Sequence, residues 1–292
     1  MKKHKIIGGG LLITFITYSL LSHSFSHKVI ESIIFFPIDP TIQMDSAKTT
    51  LDLLKEEKEE KYIVHWEVES HTSDTVYLRQ DISLLFEDGR LSAIISDWKG
   101  NSSELTQYAT YSGKDSSRFL ALTFHHGEIH HPDKTITSTH KMSKDHLYVI
   151  DSAFSALQSF KDVQTDEQKE WKAVLDKMSE KQLEYYLEKG LDHFDIPIHN
   201  YDLYSLEEII ELQEVSLPGV DTNQAKTIIG KLWEMLYKEY FLGIKTTAGT
   251  TIPPIDSSMP FILISKDYTH LLIVLETKEG ESIKIIQHLN ID

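Results

Sequence analysis

"ISLLFEDGRLSAIIS", residues 82–96, sets two apolar runs on either side of Asp88-Gly89. A two-residue hairpin turn needs positive φ at both central positions, and Asp-Gly is among the pairs that tolerate this best. The stretch therefore predicts two antiparallel strands joined by a tight turn. Upstream, "YIVHWEVES" (62–70) alternates apolar and polar residues at strand period. Downstream, "QYATYS" (107–112), "RFLALTF" (118–124), "TITSTH" (135–140) and "LYVID" (147–151) read as further strands. Residues 62–151 thus predict an antiparallel sheet built from hairpins.

The pattern then changes period. In "TDEQKEWKAVLDKMSEKQLEYYLEKG" (165–190), Thr165 and Gln168 have capping-box spacing. Trp171, Val174, Leu175, Met178, Tyr186 and Leu187 are read as its apolar face, and Gly190 as its end. Ser205 and Glu208 repeat the capping-box spacing before a short helix. Ala225, Ile228, Ile229, Leu232, Trp233, Leu236, Tyr237, Tyr240 and Phe241 recur every three or four residues, the stripe of a core helix. A Gly/Thr/Pro loop (243–260) leads to "FILISKD" (261–267) and the hairpin "HLLIVLETKEGESIKIIQHL" (270–289). The order of strands, helices, strands predicts an α+β fold: an N-terminal transmembrane helix, an antiparallel β-rich segment, a helical segment and a C-terminal β-hairpin. The last strands either rejoin the first sheet or form a second subdomain.

The N-terminus sets the expected location. "MKKHK" precedes Ile6–Leu21, a run without a charged side chain. A basic flank before an apolar run is the pattern of a secretory signal or a signal anchor. The flank stays in the cytoplasm, so the body is expected outside. Sixteen residues make ~24 Å of helix against a hydrocarbon core of ~30 Å, and Ser22, His23, Ser24 and Phe25 extend the run. A cleaved signal is the competing reading, with Ser22 and Ser24 at the cut. The apolar character continues through Ile30, Ile33, Ile34, Phe35 and Phe36, which favours a retained anchor. Residues 1–24 are therefore assigned to the basic flank and anchor, with residues 6–24 meeting the lipid bilayer. Residues 25–61 form an amphipathic, charged spacer. Residues 62–292 form the extracytoplasmic domain, β-rich at 62–151, helical at 165–242 and β at 260–289.

Charge and composition exclude several classes. The 292 residues carry a formal charge of −16. Residues 1–27 hold three lysines and no acid, leaving 26 basic against 45 acidic residues and −19 on the remainder. Such a body repels nucleic-acid phosphates and anionic lipid at long range. With no cysteine there is no disulfide, thiolate metal site or cysteine nucleophile.

Candidate chemistry is sparse. "FHHGEIHHPD" (124–133) holds four histidines and two acids. On an extended strand His126, Glu128 and His130 share one face, and three such ligands suit Zn²⁺. Gly127 and Pro132-Asp133 are turn residues that would scatter the row, leaving a wet hairpin. His140 and His146 are close enough in sequence to join it. A patch of histidines charging together in acid is another reading.

"LPGVDTNQAKTIIG" (217–230) resembles the helix-hairpin-helix DNA-binding motif through Leu217, Pro218, Gly219, Val220, Ala225, Ile228 and Ile229. Asp221 stands where the motif has its second glycine, and Asp221 or Thr222 reads better as an ordinary helix N-cap, so nucleic acid is an unfavoured partner. Ser96-x-x-Lys99 and Ser138-x-x-Lys141 match the nucleophile spacing of penicillin-binding proteins, without the companion motifs. Trp98, beside Gly100 and Asn101, is a candidate for stacking on a sugar ring.

"PDKTITSTHKMSKDHLYVIDS" and "LPGVDTNQAKTIIGKLWEMLY" together resemble an uncharacterised family of membrane-anchored exported proteins from Bacillus-type bacteria. The resemblance implies a location in the cell-wall space and no activity. The reading from sequence is a non-enzymatic, single-pass membrane protein with a binding, sensing or scaffolding role at the envelope. Its expected partners are the bilayer and an envelope protein or wall polymer. The alternative is a metal-assisted hydrolase of envelope material using His126, Glu128 and His130; a weaker alternative is external DNA binding through Gly219 and the helix behind it.

Overall fold

The computed structural model describes residues 35–54, 61–213 and 221–289. The Asp88-Gly89 turn forms as read. Both residues have positive φ (49° and 84°), and Glu87 pairs with Arg90 across a two-residue loop. It joins β2 (Tyr62–Glu87) to β3 (Arg90–Gly113). These strands run to 26 and 24 residues, far beyond the apolar runs that announced them. The polar, exposed stretch 97–104 stays in the ladder, because backbone pairing does not require apolar side chains.

The first sheet runs β1 (Met44–Leu54), β2, β4 (Ser117–His130), β5 (Ile136–Ser152) and β6 (Ser155–Phe160), with β3 on the far edge of β2. One edge of β2 pairs with β1 over its first half and with β4 over its second. This splitting curls the sheet into a nearly closed barrel. Side chains of β1 close it against β5: Thr49 Oγ1 lies 2.6 Å from Ser143 Oγ, and the Leu51 amide donates to Asp145 at 2.7 Å.

The β2–β3 register shifts between His71 and Val76. Such a bulge moves the inward set from one parity to the other. Before it Tyr62, Val64, Trp66 and Val68 fill the barrel; after it Leu85 does, with Phe119, Ala121, Leu147 and Val149 from β4 and β5. The even-numbered Ile82, Leu84, Phe86, Leu120, Leu122 and Phe124 face outward into a second core.

That outer core is covered by α1 (Asp166–His193), α2 (Thr222–Leu236) and a four-stranded sheet. The sheet has the order β12 (Ser282–His288), β11 (His270–Glu276), β10 (Phe261–Ser265), β7 (Tyr201–Ser205). A short ribbon pairs β8 (Ile244–Lys245) with β9 (Thr251–Ile252). The C-terminal strands do not rejoin the first sheet, yet Ile262, Ile264, Leu271 and Ile273 share one core with Ile82, Leu84 and α2.

The α+β expectation is therefore corrected to a mostly β protein, 54% strand against 23% helix, organised by a barrel-like sheet. Two causes account for the difference. The long strands continue through polar stretches. The expected helical segment also contains β7, which completes the second sheet. Residues 44–54, assigned above to the spacer, form β1 and bury Leu51.

The N-terminus of α1 is capped as read, the Thr165 hydroxyl accepting from the Gln168 amide at 3.2 Å, while Gln168 returns its side chain to the Gln164 amide at 2.7 Å. Its buried face is Leu175 and Tyr186, with Leu183, Leu187 and Leu191 packing alongside; Val174 and Met178 are exposed. The helix passes Gly190 because a Cβ there would sit 2.4 Å from Val274 Cγ1. This glycine marks close helix–strand packing, not a helix end. Of the expected stripe, Ala225, Ile228, Ile229, Leu232, Trp233 and Leu236 are buried on α2, Tyr237 and Tyr240 are buried in the π-helical turn that follows, and Phe241 is partly buried; Asp221 caps α2 in a capping box with Gln224.

No helix among the described residues is long and apolar enough to cross a membrane. The expected anchor, residues 6–24, lies outside the described residues, as does Gly219.

Candidate functional site

The stretch 124–133 does not turn at Gly127. β4 runs unbroken through it, and the glycine serves close packing: a Cβ would meet Thr139 Cγ2 at 3.2 Å and Val76 at 3.4 Å. The chain reverses only after His130, where the His131 carbonyl accepts from the Lys134 amide at 2.9 Å and Lys134 takes φ 70°. His126, Glu128 and His130 therefore alternate onto one face. The structure brings Glu128 and His130 together: the imidazole bonds the carboxylate and stacks on Tyr77 at 3.7 Å. His126 stands apart, buried near Phe124. No group of three or more His, Asp or Glu among the described residues is arranged to hold a metal. His131 turns back to Asp39 and Thr137 at 3.0 and 2.7 Å.

The inner face of the barrel carries a buried polar network that sequence spacing did not reveal. Arg79 and Asp81 are fully buried and paired at 2.9 Å. His125 Nδ1 lies 3.3 Å from Asp81, and its Nε2 lies 2.8 Å from Ser143 Oγ. Hydroxyls continue the chain from Ser143 to Thr49, Thr123 and Ser83, each step 2.6 Å. Burial raises the Asp81 carboxyl, but His125, Arg79 and Ser70 outweigh it and hold the group below the usual carboxylate range. Burial pushes His125 down.

Asp81, His125 and Ser143 have the connectivity of a nucleophile triad. Asp81 and His125 have no exposed surface, Ser143 is partly exposed, and the serine hydroxyl also meets Thr49 at 2.6 Å. The network is read as the polar end of the barrel interior.

On the outer face, His126 and His140 stand directly opposite each other across β4 and β5. Both are buried, and neither ring nitrogen of His126 has a hydrogen-bond partner among the described residues, while His140 approaches the Lys226 backbone. Burial pushes His126 down to about 3, with His140 and Arg79 adding to the shift. Burial pushes His140 down to about 4; a backbone hydrogen bond at Lys226 opposes the shift and the Lys226 charge adds to it. Gln80 lies opposite His126 on β2, its Oε1 buried and also unpartnered.

His140 lines a cleft of about 900 Å³ between residues 37–44, β5 and α2, within the usual range of small-molecule sites. Lys141, Met142, Asn223, Lys226 and Thr227 line it too. Neither Lys141 nor Lys226 has an ion-pair partner among the described residues. Of the acids on the wall, Asp39 is saturated by Thr41, Ile42, Thr137 and His131. Glu211 is mostly exposed and leans toward Lys144 at 3.8 Å. A second hollow, about 460 Å³, is bordered by Arg118, Lys172, Asp176 and Glu207, which pair with one another.

The remaining sequence candidates fall elsewhere. Ser138 is buried and donates to the Phe36 carbonyl at 2.7 Å, while Lys141 is exposed. Ser96, Trp98 and Lys99 lie on an exposed stretch of β3, with Trp98 half exposed. The cleft itself had one signal in the sequence, His140, whose side chain faces it only because β5 and α2 approach each other. Comparisons with family models, curated proteins and solved structures find no match to this chain.

Proposed function

We propose that the chain is a non-enzymatic binding or sensing protein of the cell envelope. In this reading residues 6–24 anchor it in the bilayer, its N-terminus is cytoplasmic, and the cleft beside α2 takes a small anionic group, phosphate or carboxylate. One observation carries the reading: Lys141 and Lys226, neither in an ion pair among the described residues, line a ligand-sized cleft in a body of charge −19. With long-range repulsion of anions, capture depends on short-range contacts inside the cleft, so small ligands are favoured over large polyanions.

Calorimetric titration of the purified full chain with inorganic phosphate and with an acidic dipeptide tests the ligand class. Saturable binding that weakens at least tenfold in Lys226→Gln and Lys141→Gln is expected. Absence of binding, or equal binding by the double variant, rejects it. Protease treatment of intact protoplasts tests topology: a body left uncut from outside rejects the envelope location.

A further inference from the structure

We infer that the cleft beside α2 takes a single-chain anionic amphiphile, a fatty acid or alkyl phosphate of medium length, with its head on Lys141 and Lys226 and its chain along residues 37–44. The inference rests on the anion reading above and adds the apolar half of the ligand.

Size is the first ground. The cleft holds about 900 Å³. A water takes about 30 Å³ of liquid volume, and a bare phosphate or carboxylate is no larger than a few waters. Such an ion would leave most of the space to solvent. A chain of medium length attached to the same head would fill much more of it.

The lining is the second ground, because its two sides differ in chemistry. On the wall formed by residues 37–44, Pro37, Ile38, Pro40, Ile42 and Met44 all border the cleft. Pro37 and Pro40 are exposed and Ile38 and Ile42 partly exposed, so apolar surface meets solvent there. The carboxylate on this wall, Asp39, is taken by Thr41, Thr137 and His131. The other walls carry the cations, Lys141 on β5 and Lys226 on α2. Asn223, three residues before Lys226 on the same helix face, adds an amide. A small anion would use only the cationic side, and an alkane only the apolar one. Each methylene withdrawn from water raises affinity by up to about fourfold. The chain thus supplies binding that a body of charge −19 withholds from a bare anion. The same charge repels an anionic bilayer surface, which favours a free molecule over a membrane headgroup.

The test uses the full chain in nanodiscs of neutral phosphatidylcholine. Acylation of lysines by a soluble active ester, read by mass spectrometry, reports occupancy at the site itself, with the other lysines as internal controls. Hexanoate, octanoate and decanoate, at matched free concentrations below micelle formation, should each protect Lys141 and Lys226. The half-protecting concentration should fall at least 20-fold along the series. Decanol should protect at least tenfold less well than decanoate. Ile42→Asn should flatten the chain-length dependence and leave protection by phosphate unchanged. Should that variant fail to fold, the series on the wild-type chain decides alone. Protection by acetate or phosphate that added methylenes do not improve overturns the amphiphile and leaves the anion reading standing. No protection by any anion, or equal protection by decanol, overturns both. Stronger protection by dihexanoyl phosphatidic acid than by decyl phosphate assigns the cleft to a membrane lipid and overturns the single-chain ligand.

Discussion

Gly190 of α1 and Val274 of β11 are in such close contact that a Cβ on the glycine would lie 2.4 Å from Val274 Cγ1. With Leu183, Leu187 and Leu191, it is part of the packing of the helix on the second sheet. Gly190→Ala should gain up to about 1 kcal/mol of helix propensity and still destabilise the fold by about 1–3 kcal/mol through overpacking. Adding Val274→Ala should recover part of that loss. Urea denaturation of the three variants checks this; a stabilised single variant would show that the helix moves away freely.

The Arg79–Asp81 pair predicts a large, coupled effect. Asp81→Asn leaves a fully buried guanidinium without its counter-charge and should cost about 3–5 kcal/mol. Arg79→Met with Asp81→Asn should cost less than the sum of the single changes. A double-mutant cycle read from denaturation midpoints measures the coupling; strict additivity would contradict the pairing.

Ser143 separates a structural network from an enzyme. Its hydroxyl is the partner of His125 Nε2, so Ser143→Ala should cost about 1–3 kcal/mol of stability. A fluorophosphonate probe should leave Ser143 unlabelled in the wild-type chain. Labelling that disappears in the alanine variant would establish a nucleophile and reject the non-enzymatic reading.

Asp39 predicts loosening of the cleft wall in acid. Burial alone would raise its carboxyl, but hydrogen bonds from Thr137, Ile42 and Thr41 outweigh this and hold it far below the usual range. Its folded pKa lies below the unfolded value of about 3.9. The stabilisation is therefore complete above that value and is lost as pH falls below it. Amide exchange at Asp39 and Ser138, whose backbones bond across the cleft edge, should accelerate below about pH 4. Asp39→Asn should show fast exchange already at pH 7.

Some of this was legible in residue order alone. Asp88-Gly89 determined its own turn, because only residues tolerant of positive φ fit a two-residue hairpin. Thr165, Asp221 and the Ala225–Phe241 stripe determined two helix starts and a buried face, because caps and helical period are local. Gly190 misled, since a helix end and a close contact call for the same residue. The parity of the barrel could not be read either: the bulge after His71 decides which side chains face inward, and its place depends on the partner strand.

The candidate site divides the same way. Strand period alone placed His126, Glu128 and His130 on one face. Only the tertiary structure set Glu128 against His130, opposed His126 to His140, and drew Asp81, His125 and Ser143 into one chain. Glu128 and His130 share β4, but the other relationships join residues from separate strands, and their distances are fixed by register and sheet closure, which no local spacing encodes.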